Sequence, residues 1–444
     1  HERSNAMFSR LPTHRLPLIV CLFSVAAASS LNAVEPAQWA QGDNLDQLVT
    51  LYRHFHSHPE LSMQEKETGE RLADELEATG AKVTRNVGGY GVVAVVKNGR
   101  GKTLLIRTDL DALPVTERTD LVYASKVTVK GEGGLESGVM HACGHDIHIT
   151  CLVGVARYLT ANKDKWSGTV VFIGQPAEER GEGAKAMLDD GLFERFPRPD
   201  YALALHVDSI LATGKVGYLA GYTLANVDSV DIIVRGKGGH GAFPHMTIDP
   251  IVEAARLILD LQTLVSREMK PTDPAVVTVA AIHGGTKHNV IADSCHLQLT
   301  VRSFGDEVRQ KLLDGIKRKA KASAASSGAP EPTVEVTEGT PAMYNDEKLV
   351  ERVVPVLRKT LGDEKVVPSE PSMGGEDFSR YGLAGVPIFM FRLGAVDQAR
   401  LDRFKQLKQL PPSLHSPLFY PDAEPALATG VTAMSAAALD LLKK

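Results

Sequence analysis

Short apolar runs that each end in a carboxylate or an imidazole are the strongest constraint on how this chain folds. Thr103 to Arg107 reads TLLIR and precedes Asp109 and Asp111. Thr169 to Gly174 reads TVVFIG and precedes Glu178 and Glu179. Tyr201 to Leu205 reads YALAL and precedes His206. Runs of this length suit buried strands, with residues 92–96 and 387–392 as further examples. Segments with helical spacing lie between them, at 45–57, 65–79 and 147–159. The last places Ile147, Cys151, Val155 and Tyr158 on one stripe. Alternating strand and helix predicts an α/β sheet with helices on its faces. In open α/β sheets, ligands bind beyond the carboxyl ends of the strands. Polar residues far apart in sequence can therefore meet on one rim.

The order changes over residues 224–338. Strands are expected at 227–235, 275–282, 294–304 and 333–336, with helices at 250–265 and 306–322. This β-α-β-β-α-β order predicts a ferredoxin-like α+β insert. In strand 294–304, Leu297, Leu299 and Val301 alternate with His296, Gln298, Thr300 and Arg302, so Arg302 points away from the insert's core. The biased stretch Lys321 to Gly328 reads as a helix end and loop. The expected division is residues 44–223 and 339–444 for the two parts of a catalytic domain, interrupted by 224–338.

The densest chemistry is His141-Ala142-Cys143-Gly144-His145-Asp146, followed by His148. Thiolate, imidazole and carboxylate are the donors that Zn²⁺ and similar ions take. Gly144 allows the bend that lets Cys143 and His145 face one point. Glu178 and Glu179 are adjacent, and in an extended segment their side chains point different ways. One can then hold metal while the other takes a proton from an activated water, which is equipment for hydrolysing an amide. Alone, the pair also reads as a solvated acidic loop. His240 stands in Gly236-Lys237-Gly238-Gly239-His240-Gly241, whose spacing fits neither a P-loop nor a dinucleotide fingerprint. No spacing rule ties His415 to the earlier cluster.

Residues 1–33 are not expected in the folded protein. A short scar precedes Met7, two arginines precede the apolar run Leu16 to Ala28, and small residues reach Ala33. This is the pattern of a cleavable signal peptide, too short for a membrane span, and it predicts a periplasmic or secreted protein. The formal net charge is −5. Removing Arg3, Arg10, Arg15 and Glu2 makes it more negative, which gives nucleic acid no basic face. Cys143, Cys151 and Cys295 remain, an odd number that makes no disulfide framework. Metal binding explains Cys143, and Cys151 lies on a core stripe.

Taken together, these residues resemble the dinuclear-metal aminoacylase and carboxypeptidase family, in the amidohydrolase branch of hippurate hydrolase and the auxin–amino acid conjugate hydrolases. The matching pieces are IRTDLDALP (106–114), MHACGHDIH (140–148), QPAEE (175–179), ALH (204–206), GKGGHGAFPH (236–245), HNVIAD (288–293), TVRSF (300–304), SMGGEDF (372–378) and LHSP (414–417). The resemblance implies a metallo-exopeptidase-like catalytic domain and an inserted dimerisation, or lid, domain. It implies two divalent metal ions per subunit, held by Cys143, His145, Glu179, His206 and His415, with Cys143 bridging. It makes Glu178 the general base. His240, Asn289 and Arg302 match residues that contact the substrate carboxylate or oxyanion. In relatives that pair through their inserts, the residue matching His240 reaches the other subunit. Asp109 and Asp111 match positions that ligate metal or orient a ligand. Ile147, Arg180 and a longer 395–413 segment depart from the family pattern.

The expected activity is metal-dependent hydrolysis of N-acyl or N-aroyl amino acids by a homodimer. A metallo-carboxypeptidase or dipeptidase is the nearer alternative, and a non-catalytic periplasmic metal or ligand carrier the more distant one. Zinc, manganese, nickel and cobalt all suit the mixed donor set.

Overall fold

A computed structural model describes Val34–Lys444 apart from residues 131–133 and 135. The signal-peptide reading therefore falls outside the described residues. The four strands Gly168–Gln175, Thr103–Asp109, Tyr201–Ala212 and Ile388–Val396 lie side by side, all parallel, at the centre of an eight-stranded sheet. Val92–Asn98 and Lys82–Thr84 extend one edge antiparallel, while Val216–Tyr218 and Val366–Pro368 complete the other.

Parallel strands are buried on both faces, which is why they read as unbroken apolar runs. Successive side chains go to opposite sides. Leu104, Ile106, Phe172, Leu203, Leu205, Phe389 and Phe391 face a core shared with Leu48, Leu152 and Leu427 of three helices, Asp43–Ser57, His145–Ala161 and Ala423–Leu441. Leu105, Val171, Ile173, Ala202, Ala204, Ile388 and Met390 face a second core with Met187, Phe378 and Tyr381. Along that second face the alternation continues to Arg107, Gln175, His206 and Arg392. Four neighbouring strands thus present polar side chains on one side of the sheet, Arg107 and Gln175 near their strands' ends and His206 and Arg392 mid-strand.

The insert is an antiparallel sheet in the order Ala275–Gly284, Ser294–Ser303, Asn226–Arg235, Thr333–Glu338. Helices Pro250–Thr263 and Asp306–Ser327 join it in a core of its own around Val230, Ile232, Leu257, Leu261, Leu297, Leu299, Leu312 and Ile316. The strand order is the ferredoxin-like one expected. Asp249 starts the first helix by accepting from the backbone N–H of Ile251 at 2.9 Å, with Pro250 in the first turn.

One local expectation changes. The helix expected to end near 322 continues to Ser327 and stops at Gly328, whose φ is +63°. Ala and Lys favour helix, so that biased stretch extends it. Within the longer 395–413 segment, Gln398–Gln406 is helical, capped by Asp397 through Ala399 N–H at 2.8 Å.

Candidate metal centre

The centre is assembled from separate turns at the carboxyl rim of the sheet. Gly144 has φ +77° and begins helix His145–Ala161. A Cβ there would lie 2.5 Å from Val207 Cγ2, so the position admits only glycine. The bend puts Cys143 Sγ 3.6 Å from His206 Nε2. His206 Nδ1 donates to its neighbour's carbonyl at 2.8 Å, leaving Nε2 for the centre. His145 is oriented the same way, with Nδ1 on the Asp111 carbonyl at 2.8 Å. Carbonyl anchoring of the second ring nitrogen is how ligand histidines are held in orientation and tautomer.

Glu178 and Glu179 do not lie on extended backbone, which corrects the expectation from sequence. Ala177 has φ +49°, and Gly181 N–H closes a turn on the Glu178 carbonyl at 2.7 Å. The Asp111 carboxylate accepts from the backbone N–H of Glu178 at 3.1 Å and of Glu179 at 3.0 Å. Asp111 therefore shapes the turn that presents both glutamates. His415 arrives from the far end of the chain. Its backbone N–H donates to the Ala142 carbonyl at 2.9 Å, its φ is +67°, and its Nε2 lies 3.3 Å from Glu179 Oε1. Left-handed backbone at two non-glycine residues is strain held at a functional site.

Among the sets of donors that fall within 4.8 Å of one another, Cys143, His145 and His206 form one and Cys143, Glu179 and His415 another, while His145, Glu178 and Glu179 form a third that brings Glu178 alongside them. Shared members join them into one ring. His145 Nε2 and Glu179 Oε1 are buried there with no hydrogen-bond partner. Buried polar atoms left bare are costly. Together with the sulfur, nitrogen and oxygen donors, they make this a ring that metal ions fit.

Other groups stand behind the ring. His148 lies close to Asp109 and His145, yet both of its nitrogens are occupied. Nδ1 is 2.7 Å from Asp109 Oδ1, and Nε2 accepts from Val207 N–H at 2.9 Å. Burial lowers its pKa, in keeping with the neutral ring that this acceptor role requires. His148 is a strut, not a ligand. Asp109 also takes Arg107 Nη1 at 2.7 Å, and its Oδ2 is 3.7 Å from His145 Nε2. Burial works against its charge, but His145, His148 and Arg107 hold the carboxyl well below its ordinary range. His141 is buried with neither ring nitrogen bonded, and burial pushes it down to about 4.

Glu178 sits beside the ring, with Oε2 3.9 Å from His145 Nε2. Burial, Glu376 and Glu179 push its pKa well above the carboxylate range. Cations in the ring would oppose that shift.

The ring opens into a cavity of about 460 Å³, walled by Leu224, Val227, Arg180, Arg302, Glu376 and Arg392. Sequence reasoning assigned no role to Arg107, Glu376 or Arg392. Arg107 is fully buried and joins Asp109, Glu376, Asp377 and Gln175. Glu376 Oε1 accepts from Arg107 and from Phe378 N–H, while its Oε2 is buried and bare. The SMGGEDF piece was the available signal for Glu376.

Of the three insert residues expected at the substrate, only Arg302 lines this cavity, with Nη1 donating to the Met373 carbonyl at 2.8 Å. His240 and Asn289 are exposed and adjacent to one another, linked by Gly241 N–H on the Asn289 carbonyl at 2.9 Å. Neither borders the cavity of its own chain. All three described cysteines, Cys143, Cys151 and Cys295, are buried and unpaired.

A sulfur, nitrogen and oxygen ring with an adjacent carboxylate, open to a small cavity at a sheet's carboxyl rim, defines a metallohydrolase. The chain belongs to peptidase family M20/M25/M40, whose profile matches residues 105–406. It is 36% identical over 359 residues to thermostable carboxypeptidase 1 of Saccharolobus solfataricus, covering 80% of this chain and 87% of that protein. It is 34% identical over 437 residues to the IAA-amino acid hydrolase ILR1-like 2 of Arabidopsis thaliana, covering 96% and 94%. Among solved structures, the Bacillus subtilis YXEP protein, described as a dinuclear metal-binding M20 peptidase, superposes with a TM-score of 0.74. Identity there is 31%, over 90% of this chain and 98% of that one.

Proposed function

We propose that this enzyme cleaves the amide bond of N-acyl or N-aroyl amino acids, releasing the free amino acid. The observation that carries this reading is a carboxylate, Glu178, placed beside a donor ring inside a cavity of small-molecule size. Two divalent cations held by Cys143, His145, Glu179, His206 and His415 would acidify water and polarise the substrate carbonyl. Glu178 takes the water's proton and delivers it to the leaving nitrogen. Arg302 receives the amino acid's carboxylate. Asp111 and the two carbonyl-anchored histidines keep the geometry fixed through both proton transfers.

The same ring serves a carboxypeptidase or dipeptidase, and the carboxypeptidase relative favours that as the second reading. A non-catalytic carrier has no use for Glu178. A homodimer through the insert would bring the exposed His240 and Asn289 to the other subunit's cavity. The exposed Leu259, Val252, Ile282 and Val290 on the insert support an apolar face for such pairing. The pattern of residues 1–33 supports a periplasmic or secreted location. Among the described residues, no helix is long and apolar enough to cross a membrane.

The test is an elemental assay followed by hydrolysis of hippurates, acetyl-amino acids and dipeptides with zinc, manganese, nickel or cobalt restored in turn. Preferred cleavage of the first two supports the proposal. Preference for dipeptides moves the assignment to the peptidase reading, and inertness with metal bound supports a carrier.

A further inference from the structure

Among the described residues, Arg392 is the one cavity arginine with neither an ion pair nor a hydrogen bond. It stands opposite His206 in the parallel register between Ile388–Val396 and Tyr201–Ala212. Both side chains continue the sheet face that carries Ala204 and Met390, and both line the cavity. The other arginines at the site are engaged. Arg107 holds three carboxylates, Arg302 donates to the Met373 carbonyl, and Arg180 sits 3.3 Å from Glu182. Among the described residues, the Arg392 guanidinium has neither an ion pair nor a hydrogen bond.

That placement is unfavourable for the protein by itself. A guanidinium offers five N–H donors and keeps its charge at any working pH. Here it is only half-exposed, next to a histidine of a ring built to collect divalent cations. Like charges at that range repel, and a partly desolvated cation without a partner adds to the cost. An anionic group arriving with the ligand removes both penalties. Under the proposed function, the α-carboxylate of an N-acyl amino acid is already served by Arg302.

We infer that the preferred substrates are dicarboxylic N-acyl amino acids, whose second carboxylate pairs with Arg392. The inference rests on the proposed amidohydrolase reading and narrows it. The second carboxylate can belong to the acyl chain or to the amino acid's side chain, and both give the guanidinium the same forked acceptor.

The test uses the metal-restored enzyme and two matched pairs. N-succinylglycine against N-butyrylglycine places the added charge on the acyl group. N-acetylglutamate against N-acetylglutamine places it on the side chain. In the wild type, kcat/KM should favour the charged member of one pair by tenfold to a hundredfold, the range for a charge-assisted hydrogen bond. The pair that responds identifies the source. In Arg392→Met that ratio should fall to about one, and Arg392→Lys should restore part of it, with metal content checked in each protein. Wild-type ratios near one in both pairs would overturn the inference without any variant. A ratio that survives Arg392→Met would overturn it as well. A wild type that hydrolyses none of the four amides while cleaving dipeptides removes the amidohydrolase reading, and this inference goes with it.

Discussion

The ring around Cys143 and the glycine-flanked tip around His240 both present histidines, but they are built on opposite principles. In the ring, each donor is held from behind. His145 and His206 spend one nitrogen on a carbonyl, the Glu178–Glu179 turn hangs on Asp111, and His415 is fastened to the Ala142 carbonyl. At the tip, His240 is exposed, and its Nδ1 accepts from Ala242 N–H at 3.0 Å. The difference shows which contacts must be fixed before a ligand arrives. Metal donors tolerate little error in distance or angle, so the protein spends buried hydrogen bonds and strained backbone on them. The exposed His240 carries no comparable set of buried anchors.

The comparison can be broken at several points. Glu178→Gln should keep its metal by elemental assay and lose about a thousandfold in kcat, within the range for general acid–base catalysis. Full activity would remove Glu178 from the role of base. Arg107→Met should leave Asp109, Glu376 and Asp377 without their buried counter-ion and destabilise the protein by about 3–5 kcal/mol in urea unfolding. An unchanged midpoint would mean that the ring does not depend on that network.

A third handle is His56 on helix Asp43–Ser57. It lies 2.7 Å from Asp146 and 3.1 Å from Glu117, and so braces the residue after His145. Burial pulls its pKa down, but Asp146 and Glu117 more than reverse this and raise it from 6.5 to about 9. A group raised on folding stabilises fully below its unfolded value and loses that contribution as pH climbs through the folded one. Wild-type unfolding free energy should therefore decline between about pH 6.5 and 9, and His56→Gln should lack that slope. Parallel profiles for the two proteins would refute the brace. The smallest effect on stability belongs to the tip. His240→Ala should shift unfolding by less than about 0.5 kcal/mol, as exposed positions do. The same variant should lose turnover if the insert of one subunit serves the other.

The sheet and the insert were legible because buried strands and amphipathic helices carry different periods, and both run long enough here to count. The donors were legible in part because Cys143 and His145 stand two positions apart in the polar cluster 141–146. Arg107 was not, since its partners Glu376 and Asp377 lie 269 and 270 residues away and nothing local marks a buried arginine at the end of an apolar strand. The Glu178 turn was missed because it depends on a left-handed alanine, and alanine does not advertise that conformation. His148 follows the 141–146 cluster in sequence, and only the fold shows its two nitrogens held by Asp109 and Val207.

Strand Ile388–Val396 lies between Tyr201–Ala212 and Val216–Tyr218, two strands that follow each other closely in the chain. During synthesis that slot stays empty until Val396 has left the ribosome, long after residues 201–218 have emerged. A prematurely terminated product would carry two open edges in mid-sheet, an invitation to mispairing and proteolysis. The donor ring is thereby tied to late translation, since only a product that extends past His415 can close the gap and supply that imidazole.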